Sequence, residues 1–195
     1  MKVLALELSS GVGSVAFREG DETRDFRTFP ADRKNSALFY ENLQAVYRAN
    51  PPPDLIAVGL GPGSYAGVRI AIATALGLRA SSGAQLRGVP SICALELEEY
   101  LFVGDARRSS FVVAQVRGGW WMEEPALASE EEVRVRLENA GGLPVVATEP
   151  LPQFGEVKVE HPSALRLAEL APRIQDQETL EPIYLRPPHI TTPRG

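Results

Sequence analysis

The sequence has few of the residues that most often carry catalytic or metal chemistry. It contains one cysteine, Cys93, and two histidines, His161 and His189. A single cysteine excludes a disulfide within the chain and is typical of a reducing compartment. The histidines lie far apart, without the spacing of zinc ligands, so the sequence predicts no metal site. Cys93 has no histidine partner and is expected to be a small buried residue.

The chain also has no long hydrophobic run and no surplus of positive charge. The longest apolar stretch, residues 66–78, contains Arg69 and is too short to span a bilayer. The N-terminus lacks the apolar region of a secretory signal. We therefore expect a cytoplasmic protein that does not contact membranes. The net charge of -5 argues against direct binding of nucleic acid by the whole surface.

A glycine-rich turn at residues 59–69, GLGPGSYAGVR, lacks the features of the known phosphate loops. No lysine follows the glycines, as a Walker loop requires. Residues 61–66 fit the short dinucleotide pattern, but no acidic residue lies between Asp54 and Glu96 to bind a ribose. Two interpretations stay open: an anion at the helix N-terminus, or glycines that let two backbone segments approach closely. The sequence favours the second, with Ser64 as the N-cap of a helix.

The helix predicted after this turn is apolar nearly all round. Gly67, Ala71 and Ala75 form a row of small residues at positions i, i+4 and i+8, and larger aliphatic residues point in the other directions. Such a helix is either central to a core or buried on both faces. The row of small residues would let a second helix come close, so we expect another polypeptide to cover this segment.

The remaining pattern predicts an α/β protein of alternating strands and helices. Apolar runs and turn residues define the strands, and a helical period of apolar residues defines the helices. In chain order we expect strands at 3–8, 14–17 and 23–29, a helix from Ser36 to Tyr47, a strand at 55–59, the helix at 66–78, a strand at 86–89, a helix from Ser91 to about Tyr100, strands at 101–103 and 111–116, a helix from Ser163 to Ile174, and an extended tail. Asp32 and Asn35 are candidate N-caps of the first helix.

Glu7 lies within the first apolar strand and has two interpretations. A carboxylate at the end of such a strand could hold the metal of a bound nucleotide. Alternatively, Glu7 points to solvent from an alternating strand whose Leu6 and Leu8 point inward.

Elsewhere, Arg107 and Arg108 form a small basic spot, and two arginines are not enough to indicate a nucleic-acid binding surface. The acidic run at 130–132 is a solvated face or the start of a helix.

Several stretches resemble one known family. They are LALELSSGVGSVAF, RKNSALFYENLQAV, LIAVGLGPGSYAGVRIAIATALGL, GVPSICALE, GDARRSSFVVAQV and the tail EPIYLR. In this order they resemble the TsaB (YeaZ-like) proteins, which are subunits of the bacterial machinery that makes threonylcarbamoyladenosine on tRNA. The resemblance is specific over residues 1–118. Its strongest motif consists of Gly61, Pro62, Gly63, Ser64, Tyr65, Gly67 and Arg69.

The resemblance implies an actin/Hsp70-like (ribonuclease H-like) fold of two lobes with mixed sheets. We expect an N-terminal lobe over residues 1–103 and a C-terminal lobe, shorter than usual, over residues 104–195. The family role implies no catalytic centre and no cofactor. It implies binding to a TsaD-like catalytic subunit, association with a TsaE-like ATPase, and contact with tRNA through that complex. Without its partner the chain is expected to form a homodimer.

The family also implies where the partner binds. Its interface is a helix bundle formed by the helix after the first three strands and the helix after the glycine turn. The corresponding residues here are Ser36, Phe39, Tyr40, Leu43, Tyr47, Gly67, Ile70, Ala71 and Thr74.

Three positions depart from the family pattern and keep other functions open. Glu7 stands where Asp is common, Asn35 where His is common, and Ala66 where Thr is common. The main alternative is an actin-like ATP-dependent phosphotransferase that uses Glu7 and the turn at 9–13. A peptidase is a further alternative, although no nucleophile–base pair is evident. The third is a homodimer with no heteromeric role.

Overall fold

A computed structural model describes residues 1–31 and 36–185 and contains two mixed β-sheets with four α-helices. The first sheet has the order β3-β2-β1-β4-β5. β2 runs antiparallel to both β1 and β3, and β4 runs parallel to both β1 and β5. The strands are β1 (Lys2–Glu7), β2 (Val12–Glu19), β3 (Glu22–Pro30), β4 (Leu55–Gly59) and β5 (Gln85–Val89).

Two helices, α1 (Ser36–Ala49) and α2 (Tyr65–Ser82), cover one face of this sheet. Successive side chains of a strand point to opposite faces. In β1, Leu4 and Leu6 therefore join the core beneath α1 and α2, while Val3 and Ala5 face the other way. α1 contributes the buried residues that its period predicted, Phe39, Leu43 and Val46. The candidate N-caps Asp32 and Asn35 lie outside the described residues.

The second sheet has the order β11-β10-β6-β7-β8, and β9 also pairs with β7. β6 and β7 form its long antiparallel hairpin. The strands are β6 (Glu99–Asp105), β7 (Ser110–Arg117), β8 (Trp120–Trp121), β9 (Ala126–Ser129), β10 (Val145–Ala147) and β11 (Lys158–Val159). Helix α3 (Glu130–Glu138) follows β9. It starts at the predicted acidic run, where Ser129 and Glu132 form a capping box.

Helix α4 (Ala164–Leu170) packs against β1, β2 and β4, although it follows the second sheet in the chain. Its buried face belongs to a core cluster that contains residues from both sheets. The helix begins directly after Ser163, the predicted start, and the Ser163 side chain caps it. The helix ends at Leu170 rather than at Ile174, and a single 3₁₀ turn, Ala171–Arg173, follows. Pro172 lies in that turn and has no N–H with which to continue the helix.

The predicted helix from Ser91 to Tyr100 is wrong. Only a 3₁₀ turn, Ser91–Cys93, forms, and Tyr100 already belongs to β6. Residues 91–95 are all buried, because the chain passes here from the first sheet to the second. The Tyr100 hydroxyl donates to the Ile92 carbonyl at 2.6 Å and fixes this connection. Burial on every side overrides the helical pattern.

The division of the chain into lobes stays a prediction. Strand pairing places residues 2–89 in the first sheet and residues 99–159 in the second, so it favours a boundary in the connection between β5 and β6. A boundary directly after Val103 would fall inside β6. Within residues 1–31 and 36–185, no helix combines the length and apolar character of a membrane span.

Candidate partner-binding surface

The glycine turn brings two backbone segments into contact. Gly63 and Gly67 lie against the turn that follows β1, and a Cβ on either would overlap a carbonyl oxygen, of Ser9 and Leu8 respectively. The Ser64 N–H donates to the Ser9 carbonyl at 2.6 Å. Only glycine permits this approach without displacing backbone. The interpretation of the turn as a close backbone contact is confirmed.

Two N–H groups of this turn already have acceptors within the chain. The Gly61 N–H donates to the Ser91 hydroxyl at 3.0 Å, and the Gly67 N–H donates to the Ser64 hydroxyl at 3.3 Å. Ser64 is thus the N-cap that the sequence predicted. These bonds, together with the bond from the Ser64 N–H to the Ser9 carbonyl, hold α2 on the first sheet.

Glu7 does not point to solvent, so that interpretation is wrong. Its side chain is fully buried at the end of β1. Oε1 accepts the Ser9 N–H at 2.5 Å, and Oε2 has no hydrogen-bond partner. Burial raises the pKa of this carboxyl, and the hydrogen bonds from Ser9 oppose the shift. The residue therefore fixes the turn after β1, a strand whose two faces both lie inside the protein.

Cys93 and His161, the other side chains that could carry chemistry, are held by contacts within the protein. Cys93 is buried, and burial raises the pKa of its thiol to about 12, as expected for a small core residue. His161 is half-buried and lies 3.1 Å from the Ser10 hydroxyl through Nδ1. His189 lies outside the described residues. Among the residues that the structure describes, no group of three or more His, Cys, Asp or Glu side chains could hold a metal ion.

Helix α2 buries one face on its own sheet. Val68, Ala71, Ile72 and Ala75 are the buried residues of this face. The predicted row of small residues, Gly67, Ala71 and Ala75, therefore faces inward. The row lets α2 lie close to the sheet and to the turn after β1, and its contact with a second helix stays a prediction.

A different row of small and apolar residues faces outward along α2. We call it the outer ridge, and it consists of Ala66, Ile70, Ala73, Gly77 and Ala80. Ile70 is half-buried and the other four are exposed. A Cβ at Gly77 would have no atom within 4 Å. The sequence contained this row, but it could be recognised only once the buried face of the helix was known.

The predicted interface residues divide between the core and the surface. Phe39, Leu43 and Ala71 are buried in the first-sheet core, while Ser36 and Tyr40 are exposed. The others, Tyr47, Gly67, Ile70 and Thr74, are half-buried. Contact of any of these residues with a partner stays a prediction.

Two motif residues at the start of α2 contact the C-terminal tail. The Tyr65 ring stacks on the Tyr184 ring with centroids 5.6 Å apart. The Arg69 guanidinium lies 4.2 Å from the Tyr65 ring centroid, and its Nε donates to the Tyr184 hydroxyl at 2.7 Å. This hydrogen bond raises the pKa of Arg69. The sequence indicated Tyr65 and Arg69 as motif residues but gave no signal that Tyr184 would join them.

Solved structures match this architecture over nearly its whole length. One is an uncharacterized protein with similarity to peptidase YEAZ from Pseudomonas aeruginosa, with 24% identity and a TM-score of 0.77 over 95% of this chain and 99% of the other. Another is YeaZ from Pseudomonas aeruginosa, with 21% identity and a TM-score of 0.71 over 94% of this chain and 99% of the other. This chain has the YeaZ fold. The predicted two-sheet α/β fold class and the resemblance to TsaB (YeaZ-like) proteins are confirmed at that level.

One family and one further relative match parts of this chain's sequence. The family described as TsaD: tRNA N6-adenosine threonylcarbamoyltransferase matches residues 43–121, which include the glycine turn and α2. An uncharacterized protein of Mycobacterium leprae (strain TN), ML0378, is 35% identical over 83 residues. That match covers 41% of this chain and 23% of the relative, so the chain matches about a quarter of the relative's length.

Proposed function

We propose that this chain is a non-catalytic subunit that binds a TsaD-like catalytic protein and supports the formation of N6-threonylcarbamoyladenosine on tRNA. The YeaZ fold and the match of residues 43–121 to the TsaD family support this role. The match to a family with a named transferase activity supports a role in tRNA modification over other uses of the fold.

The outer ridge of α2 is the observation that carries the proposal. Four of its five residues are Ala or Gly, and Ile70 supplies a larger apolar group. A row of small side chains lets another helix approach closely, because the distance between packed helices depends on the side chains at their contact. An exposed apolar surface of this kind is typical of a protein-binding site.

Tyr40 of α1 supplies a second exposed apolar group above the same face of the sheet. It is 50% exposed, and its ring lies 5.0 Å from that of the buried Phe39. A partner that covers α1 and the outer ridge together would bury Tyr40 as an aromatic anchor, together with the small residues of the ridge. Aromatic anchors in such surfaces carry a large share of binding energy.

The remaining family properties belong to the same proposal. The chain acts in the cytoplasm, a TsaE-like ATPase joins the pair, and tRNA reaches this subunit only through the complex. In the absence of the partner, a second copy covers the outer ridge. The homodimer and the heterodimer would then compete for one surface.

The alternative functions find little support in the site. In a phosphotransferase, Glu7 would face a nucleotide, but its side chain is fully buried. In a serine peptidase, Ser64 would be the nucleophile, but here its hydroxyl caps α2 by accepting the Gly67 N–H.

Reconstitution with the TsaD-like subunit of the same organism tests the proposal. We expect the two proteins to co-purify, and we expect modified tRNA to form only when this chain is present with the remaining components of the pathway. Titration of the isolated chain with magnesium-ATP serves as a control for the phosphotransferase alternative. Full modification without this chain would contradict the proposed role, as would turnover of ATP by the chain alone.

A further inference from the structure

Residues 176–185, which we call the C-terminal strap, follow the open edge of the first sheet. Among the described strands, β5 is the last of that sheet, so no strand pairs with its outer N–H and C=O groups. The Leu86 and Gly88 N–H groups donate to Asp176 Oδ1 and Gln177 Oε1, both at 2.7 Å. The Leu86 carbonyl accepts the Gln177 N–H at 2.9 Å. The strap thus replaces the missing strand and covers an edge that would otherwise attract other chains.

The middle of the strap is attached to α2 and to the core. Arg79 Nη1 donates to the carbonyls of Gln177 and Glu178, at 2.7 and 3.1 Å. Leu180 is 7% exposed and belongs to the core cluster beneath α1 and α2. The Ile183 N–H donates to the Leu60 carbonyl at 2.9 Å, just before the glycine turn. Backbone, side-chain and apolar contacts therefore all hold the strap in one place.

Arg69 fastens the far end of the strap to the start of α2. Its guanidinium lies near the rings of both Tyr65 and Tyr184, 4.2 and 5.8 Å from their centroids. The planar group combines stacking with a hydrogen bond to the Tyr184 hydroxyl, which a lysine could not reproduce. Tyr65 and Tyr184 nevertheless stay 53% and 43% exposed.

The cluster of Tyr65, Arg69 and Tyr184 is continuous with the outer ridge. Arg69 lies three residues after Ala66 and four before Ala73, so all three share one side of α2. Leu76, three residues after Ala73, extends this exposed side toward the end of the helix. A partner seated on the ridge would therefore meet the strap at its edge.

We propose that the C-terminal strap forms part of the partner-binding surface and that Arg69 is the residue that positions it there. This inference rests on the proposed function, since the occupant is the same TsaD-like protein that covers the outer ridge. Tyr184 is the strap's contact residue, and Arg69 acts through it. The strap both closes the edge of β5 and widens the surface that α2 offers.

Hydrogen exchange on the free protein tests the positioning role. In Arg69→Ala, we expect amide exchange in residues 176–184 and at Leu86 and Gly88 to accelerate by about ten-fold, because the strap loses its end fastening. Arg134→Ala is the matched control, since Arg134 is an exposed arginine of α3 that pairs with Glu130. Arg69→Lys should fall near the alanine variant. Unchanged exchange in both Arg69 variants would overturn the positioning role.

Affinity for the TsaD-like partner tests the contact role. We expect Tyr184→Ala to weaken binding by about ten-fold, a loss typical of an aromatic interface residue. Tyr184→Phe keeps the ring and loses only the bond from Arg69, so its loss should be smaller. Wild-type affinity of Tyr184→Ala, together with weakened binding of the ridge variant Ala73→Glu, would overturn the strap's contact role and leave the proposed function intact. Wild-type affinity of both variants would overturn the proposed function itself.

Discussion

The two long sides of α2 have similar compositions and opposite surroundings. Gly67, Ala71 and Ala75 on the inner side face the first sheet and the turn after β1. Ala66, Ala73 and Gly77 on the outer side are exposed. The same residue types therefore serve close packing within the chain on one side and, in our proposal, close packing with another chain on the other. A row of small residues predicts close packing of the helix, and only the structure tells which side packs within the chain and which is open to a partner.

The inner side should be the less tolerant of the two. In Gly67→Ala, the added methyl group would overlap the Leu8 carbonyl oxygen, so either α2 or the turn after β1 must move. We expect the free energy of unfolding to fall by about 3 kcal/mol, at the upper end of the usual penalty for overpacking. Urea denaturation measures the change. A loss below about 0.5 kcal/mol, the size of an ordinary surface effect, would show that the contact is loose.

Glu7, beside the same inner contact, should make stability depend on pH. Burial raises its folded-state pKa above the ordinary value of 4.5, so the folded protein holds the proton more tightly than the unfolded chain does. This contribution to stability is complete below pH 4.5 and is lost as the pH rises through the folded pKa. We therefore expect the unfolding free energy of wild type, relative to Glu7→Gln, to decrease as the pH rises above 4.5 and through the raised folded-state pKa.

The control for this experiment is a carboxyl whose pKa shifts the other way. Hydrogen bonds from Ser129 lower the pKa of the exposed Glu132. Relative to Glu132→Gln, wild type should therefore gain stability as the pH rises through the acid range. Equal pH profiles of wild type and Glu7→Gln would contradict the account of Glu7 as a buried carboxyl.

The outer side should accept an added methyl group. A Cβ at Gly77 would have no atom within 4 Å, and the residue lies inside a helix. Since glycine is a poor helix former, Gly77→Ala should raise the free energy of unfolding by about 0.5–1 kcal/mol. Thermal unfolding at neutral pH measures the gain. A destabilised variant would mean that the outer side is packed against something, and would weaken the contrast with Gly67.

Much of the first sheet and its helices could be predicted from the sequence because the patterns there are local. The meander of β1 to β3, the buried face of α1, and the Ser64 cap all follow from periodicity and turn residues. The close contact at the glycine turn also followed, because the chemistry of a phosphate loop was missing. Which way the row of Gly67, Ala71 and Ala75 faces could not be predicted, because both sides of α2 carry small residues.

The features that could not be predicted depend on distant contacts. The segment after Pro90 looks helical, but burial from all sides holds it in an irregular path. Glu7 looks like the exposed member of an alternating strand, yet both faces of β1 are covered, so its side chain is buried. Tyr184 lies 115 residues from the Arg69 that binds it, and no local pattern links the two.

The most direct test of the partner-binding surface is the affinity of Ala73→Glu for the TsaD-like protein, compared with that of Val135→Glu. Both changes place a glutamate on an exposed helical position, one on the outer ridge and one on α3 beside the second sheet. We predict that Ala73→Glu weakens binding by about 100-fold, because it buries an unpaired charge, while Val135→Glu binds like wild type. Equal affinities of a folded Ala73→Glu and wild type would contradict the account.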